Sequence, residues 1–122
     1  MKLNLKSLQD KTPWEKAGIG LPQFDIAAVR AKTKKEPTWV HFGAGNIFRA
    51  FPCAALQDLL DKKEYDRGVI ACESYDPEII DKASTPFDDL SLLAILRADG
   101  QIDKRVIASV TAAWNVDEVG PV

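Results

Sequence analysis

Cysteine is scarce in this chain: Cys53 and Cys72 are the only two among 122 residues. Two cysteines cannot build a disulfide framework. With no Cys-x-x-Cys pair and one histidine, His41, a zinc site has no ligand set. Charge of one sign is lacking too. A net charge of -2 gives no electrostatic footprint for nucleic acid or an anionic membrane, and the cluster Lys32, Lys34, Lys35 reads as a solvated turn. Long hydrophobic runs are missing, since nothing approaches the ~18 apolar residues of a membrane span. Met1 to Asp10 alternates charged and apolar residues, unlike a signal peptide. Repeats and low-complexity segments are also absent. These absences point to a reduced, cytoplasmic protein without metal.

What is present is ordinary globular material, 46% hydrophobic and 28% charged. The length fits one domain, able to bury roughly two thirds of its unfolded surface. Residues 1–24 hold Pro13, Gly18, Gly20 and Pro22 and read as a segment wrapping a surface rather than core. Asp25 can cap a helix running to about Lys32, with Ile26 and Val29 on one face. After Pro37 the period changes. Thr38 to Phe42 reads as a strand ending in Gly43-Ala44-Gly45. Phe48, Pro52, Ala55 or Leu56, and Leu59 or Leu60 then recur at helical spacing, with Gln57, Asp58 and Asp61 free to face water.

Gly68 to Glu73 is a second strand, and Asp76-Pro77-Glu78 starts a helix to about Ala83. Residues 84–89 form a loop. Leu90 to Arg97 and Arg105 to Val110 pair as an antiparallel hairpin around Asp99-Gly100. This order predicts an α/β fold, a Rossmann-like NAD-binding domain that is incomplete and has a β-hairpin near its C-terminal end. Residues 1–36 are an N-terminal extension packing on it, and residues 37–122 are the N-terminal part of the dinucleotide-binding domain.

The first glycine of a dinucleotide turn permits unusual backbone angles, and the second lets a pyrophosphate approach without meeting a Cβ. The helix start then presents unpaired N–H groups to the phosphates. An acid after the next strand accepts from the adenosine ribose. Glu73 and Asp76 compete for that role, Asp76 looking first like a helix cap. Glu73 lies 28 positions after Gly45 (73 − 45), beyond the ~20 expected. An acid there repels a 2′-phosphate, favouring NAD over NADP. The usual third glycine falls on Phe48.

Arg49 reaches either a phosphate or a structural acid such as Asp76. Asn46 either caps the helix, its ordinary role, or orients the nicotinamide half. His41 reads as a core histidine, and both cysteines as buried thiols. Pro52 leaves two readings open: it interrupts one helix from Gly45, or it starts a helix near Phe51 and leaves "NIFRA" as a loop or short separate turn.

"HFGAGNIFRAF", with "LPQFD" upstream, resembles the long-chain mannitol dehydrogenase family of polyol and uronate oxidoreductases. His41, Gly43, Gly45, Arg49 and Ala50 match its pattern, with Ile47 where phenylalanine is usual. Phe48 and Phe51 stand where the mannitol and fructuronate branches carry histidines, as in the tagaturonate branch. "RGVIACES" and "LLAILRADGQIDKRVIASV" extend the likeness over roughly residues 17–115, and the family lacks the third glycine too.

The resemblance implies cofactor binding by Gly43, Ala44, Gly45, Asn46, Ile47, Arg49, Glu73 and Asp76. It also implies NAD as cofactor and a small polyol or sugar-acid substrate in the full-length enzyme. The family's catalytic lysine, asparagine and histidine lie in a C-terminal helical domain, and no catalytic residue is expected here. The chain therefore reads as a fragment inactive alone, with "DEVGPV" where the parent fold continues, and with self-association possible through its open sheet. A non-catalytic interaction domain and an S-adenosylmethionine-dependent methyltransferase fragment are the alternatives. "NIFRAF" does not fit the longer glycine-rich turn of the latter.

Overall fold

The strand Val69–Glu73 is buried at every position, as the apolar run "VIACE" dictates for a strand covered on both faces. In the computed structural model, which describes residues 2–116, it is the centre of a three-stranded parallel sheet. Along the chain the elements are α1 (Thr12–Lys16), β1 (Ile19–Gly20), α2 (Ile26–Lys35), β2 (Val40–Phe42), α3 (Asn46–Ala50) and α4 (Pro52–Asp61). There follow β3 (Val69–Glu73), α5 (Pro77–Ile79), β4 (Ser91–Leu96), β5 (Ile102–Ile107) and β6 (Val110–Asn115). One sheet has the order β2-β3-β6, all parallel, and the other β1-β5-β4. The first order matches the 3-2-1 half of a doubly wound sheet, with β2 at its open edge. Segment 117–122, where "DEVGPV" was expected to lead on, lies outside the described residues.

The expected hairpin forms, with β4 antiparallel to β5 and Gly100 at φ +84° in its turn. Its second strand, Ile102–Ile107, starts and ends earlier than expected, and Val110 begins a further strand. Ala108 and Ser109, both fully buried, bend the run into β6, so one stretch of chain serves both sheets. Gln57 holds the bend. Its Nε2 donates to the Val106 carbonyl at 2.6 Å and its Oε1 accepts from the Ala108 N–H at 2.5 Å. Ser109 Oγ donates to the Cys53 carbonyl at 2.7 Å. The expectation that Gln57 faces water is therefore corrected: it is 1% exposed, because only a side chain that both donates and accepts satisfies a strand's backbone at a bend. Gly68 lies against the same bend, where a Cβ would overlap the Ser109 carbonyl oxygen.

The N-terminal residues are also corrected. Trp14 and Ile19 are buried with Leu90, Val106 and Ala108 in a second core, and β1 runs parallel to β5. The Trp14 indole N–H donates to the Ser7 carbonyl at 3.2 Å, so the ring is buried without losing a hydrogen bond. Turn-forming Pro13, Gly18 and Gly20 bracket these two residues and hid them.

α2 begins as expected, Asp25 accepting from the Ala28 N–H, and runs on to Lys35. The helix expected over 76–83 becomes a single α turn, Pro77–Ile79, followed by a wider π turn over Ile80–Ser84. A 3-10 turn, Thr85–Phe87, occupies part of the expected loop.

Candidate functional site

At the C-terminal end of β2 the ladder stops. Gly43, at φ +119°, donates its N–H to the Cys72 carbonyl at 2.7 Å and turns the chain away. That angle is one a side chain rarely adopts, so the first glycine performs the role expected of it. Gly45 takes the cap position of α3 in extended geometry, and nothing lies within 4 Å of where its Cβ would stand. The space over the second glycine is open.

Asn46 is not the cap: Gly45 holds that place, and Asn46 is the first helical residue. Its Oδ1 instead accepts from Arg49 Nη2 at 2.5 Å. Arg49 is thus tied to Asn46 and not to Asp76, while its buried Nε has no hydrogen-bond partner among the described residues. Ile47 is 76% exposed, off the packed face of α3. Phe48, at the third-glycine position, is buried and stacks on His41 with ring centroids 4.3 Å apart. Trp39 meets both rings edge-on, so His41 sits half-buried in an aromatic cluster at the edge of the core rather than within it. Pro52 is resolved in favour of the second reading. Phe51 (φ −110°, ψ −70°) separates α3 from α4, and Pro52 occupies the first turn of α4.

β2 and β3 are in register, Phe42 opposite Cys72, which brings Glu73 beside the turn. The residue is buried, and its carboxylate is engaged by backbone donors from both sides. Oε2 accepts from the Ala44 N–H at 2.8 Å, and Oε1 from the N–H groups of Tyr75 (3.3 Å) and Asp76 (3.2 Å). Burial pushes its pKa up, but these three backbone donors together hold it below the usual glutamate value. Sequence reasoning missed this link to Ala44. The strand register would have revealed it, and spacing along the chain does not carry register. Asp76 caps α5, its Oδ1 accepting from the Glu78 N–H at 3.1 Å.

Both thiols are buried, and burial pushes Cys53 up to about 12. Among the described residues no cluster of His, Cys, Asp or Glu could hold a metal, and no helix is long and apolar enough to cross a membrane. A cleft of about 240 Å³ opens beside Asn46, Arg49 and Ala50, closed on its far side by Ser91 and Leu92 of β4. A larger hollow of about 520 Å³ is lined by Leu8, Leu21, Phe24 and Ile26, away from the glycine turn. The turn, with its built backbone, is the better candidate.

No family model matches the chain. Over 121 residues, 99% of its length, it is 45% identical to a D-mannonate oxidoreductase of Thermotoga maritima, of which it spans 22%. Two solved structures share its fold, each over 97% of this chain and 22% of their own. One is a D-sorbitol dehydrogenase in substrate-free form, with a TM-score of 0.75 and 20% identity. The other is the mannitol 2-dehydrogenase of Pseudomonas fluorescens in a ternary complex with NAD and D-mannitol, with a TM-score of 0.75 and 21% identity. In sequence and in fold the chain is similar to oxidoreductases of the mannitol dehydrogenase family. It has the Rossmann-like α/β fold expected from its motif, and it covers about a fifth of the length of these relatives.

Proposed function

We propose that this chain is the cofactor-binding portion of an NAD-dependent oxidoreductase, without turnover of its own. The enzyme would interconvert a polyol or aldonate and its keto form, in the mannitol, mannonate or altronate class. One observation carries the reading. A glycine turn with Gly43 in left-handed geometry and Gly45 unobstructed sits at the C-terminal end of a parallel edge strand, where doubly wound sheets bind dinucleotides. In this reading Gly43, Ala44, Gly45, Asn46 and Ile47 surround the pyrophosphate, with Arg49 close behind. Glu73 and Asp76 lie on the ribose side, and their charge disfavours a 2′-phosphate. NAD would supply the hydride acceptor; these residues bind and orient it.

The names of the relatives support a sugar-acid or polyol substrate and NAD. A cytoplasmic setting and self-association through the open sheet complete the proposal.

Calorimetric titration with NADH tests it, with S-adenosylmethionine as the control ligand. Binding of NADH alone is expected; no heat with NADH overturns the reading. Gly45→Val is the sharper probe, because the added Cβ has no protein atom within 4 Å and the backbone there is extended. Folding should be unchanged and NADH affinity about tenfold weaker or worse. Turnover of fructuronate, tagaturonate or fructose by this chain with NADH would refute the inactivity.

A further inference from the structure

We propose that Glu73 is a positioning residue whose carboxylate sets the glycine turn in its shape before any cofactor arrives. The inference rests on the reading of that turn as a cofactor site.

The need for it follows from where the β2 ladder ends. Gly43 makes the last backbone bond to β3, and the next donor, the N–H of Ala44, has no strand opposite it. Ala44 is 2% exposed, so water cannot serve that N–H. Leaving a buried donor unmet costs about 1–3 kcal/mol. Glu73 Oε2 meets it at 2.8 Å. The other oxygen gathers the Tyr75 and Asp76 N–H groups, which belong to the chain leaving β3. One side chain therefore fastens together the two loops that rim the end of the sheet.

Counting acceptor capacity separates this role from ribose binding. An ionised carboxylate accepts about four hydrogen bonds. Three are already made within the protein, both positions on Oε1 and one on Oε2. A single position on Oε2 remains, so Glu73 can take one ribose hydroxyl and not the pair. Among the described residues Asp76 has only Oδ1 engaged, by the Glu78 N–H. Glutamine is a poor substitute at 73. Three N–H donors converge on the group, and in either orientation an amide turns its own NH2 towards at least one of them.

The test uses the chain as it is. Backbone amide exchange in the absence of cofactor should show the Ala44 amide protected by about 100-fold or more, and Glu73→Gln should lose that protection while circular dichroism is unchanged. Glu73→Gln should also weaken NADH and its 2′-deoxyadenosine analogue alike, each by about tenfold. Free exchange at Ala44 in the unsubstituted chain overturns the proposal. So does a variant that binds the analogue normally and loses affinity only for NADH, since that is the behaviour of a plain ribose acceptor. If Glu73→Gln fails to fold, the Ala44 exchange in the unsubstituted chain decides alone. If the unsubstituted chain binds no NADH, the functional reading fails, and the same exchange still decides the brace.

Discussion

Gln57 lies on α4 next to Asp58, which is exposed and pairs with Arg105 at 2.8 Å, yet Gln57 itself is sealed against the bend after β5. Gln57→Leu keeps the volume and removes both hydrogen bonds, leaving the Val106 carbonyl and the Ala108 N–H unmet. Urea denaturation should show a loss of about 2–4 kcal/mol, two unmet groups at about 1–3 kcal/mol each with partial relaxation. A loss under about 0.5 kcal/mol would mean the bend does not depend on it. The two cysteines give a second test. With its folded pKa pushed from 9.0 up to about 12 by burial, Cys53 stays protonated and inert. Native protein at pH 8 should leave Cys53 unmodified by a thiol reagent until it is unfolded. The sign of the linkage also follows: the unfolded thiol ionises first, so this contribution to stability is whole below pH 9 and lost as pH climbs towards 12. A melting temperature that rises between pH 9 and 10.5 would contradict it. The buried thiols were legible in sequence because they sit in apolar runs. Gln57 was not, because helical spacing places it beside two acids and cannot report a bend in a distant strand.

At the scale of elements, the break between α3 and α4 makes the opposite prediction from a kinked helix. A proline inside one continuous helix costs ~3 kcal/mol, so its replacement by alanine would stabilise the protein by a similar amount. Pro52 instead stands in the first turn of α4, where its fixed φ suits the helix and its missing N–H is not needed. Pro52→Ala should therefore leave stability unchanged or lower it by about 0.4–1 kcal/mol, through greater freedom of the unfolded chain. Thermal denaturation of the variant decides between the two signs. Most elements could be read from local chemistry: the Asp25 cap, the buried run of β3, the Asp99-Gly100 turn. β6 could not. Residues 105–110 were read as one strand because the pattern stays apolar through Ala108, and nothing local marks a change of sheet. The π turn at Ile80–Ser84 likewise follows from the packing of Ile80 and Ser84, both buried, rather than from a breaker in the sequence.

At the scale of the molecule, β2 is an edge strand with no neighbour on one side among the described residues, and Phe42, Ile47 and Phe51 near its end are 68–76% exposed. An open edge beside exposed aromatic rings favours contact with another chain. Sedimentation velocity should show association that grows with protein concentration, reduced in Phe42→Lys; a monomer throughout the range would set the expectation aside. The aromatic exposure was legible only in part, since sequence alone gives no strand order and hence no edge.

The pairing of Ile19 with Lys104 carries a consequence for how the chain acquires its structure. Eighty-five residues separate the partners (104 − 19), so β1 has nothing to pair with until that stretch has been made. At about 5–20 residues per second, synthesis of 85 residues takes roughly 4–17 s. For that interval Trp14 and Ile19 lack the β5 side of their core, which closes only when Val106 and Ala108 arrive.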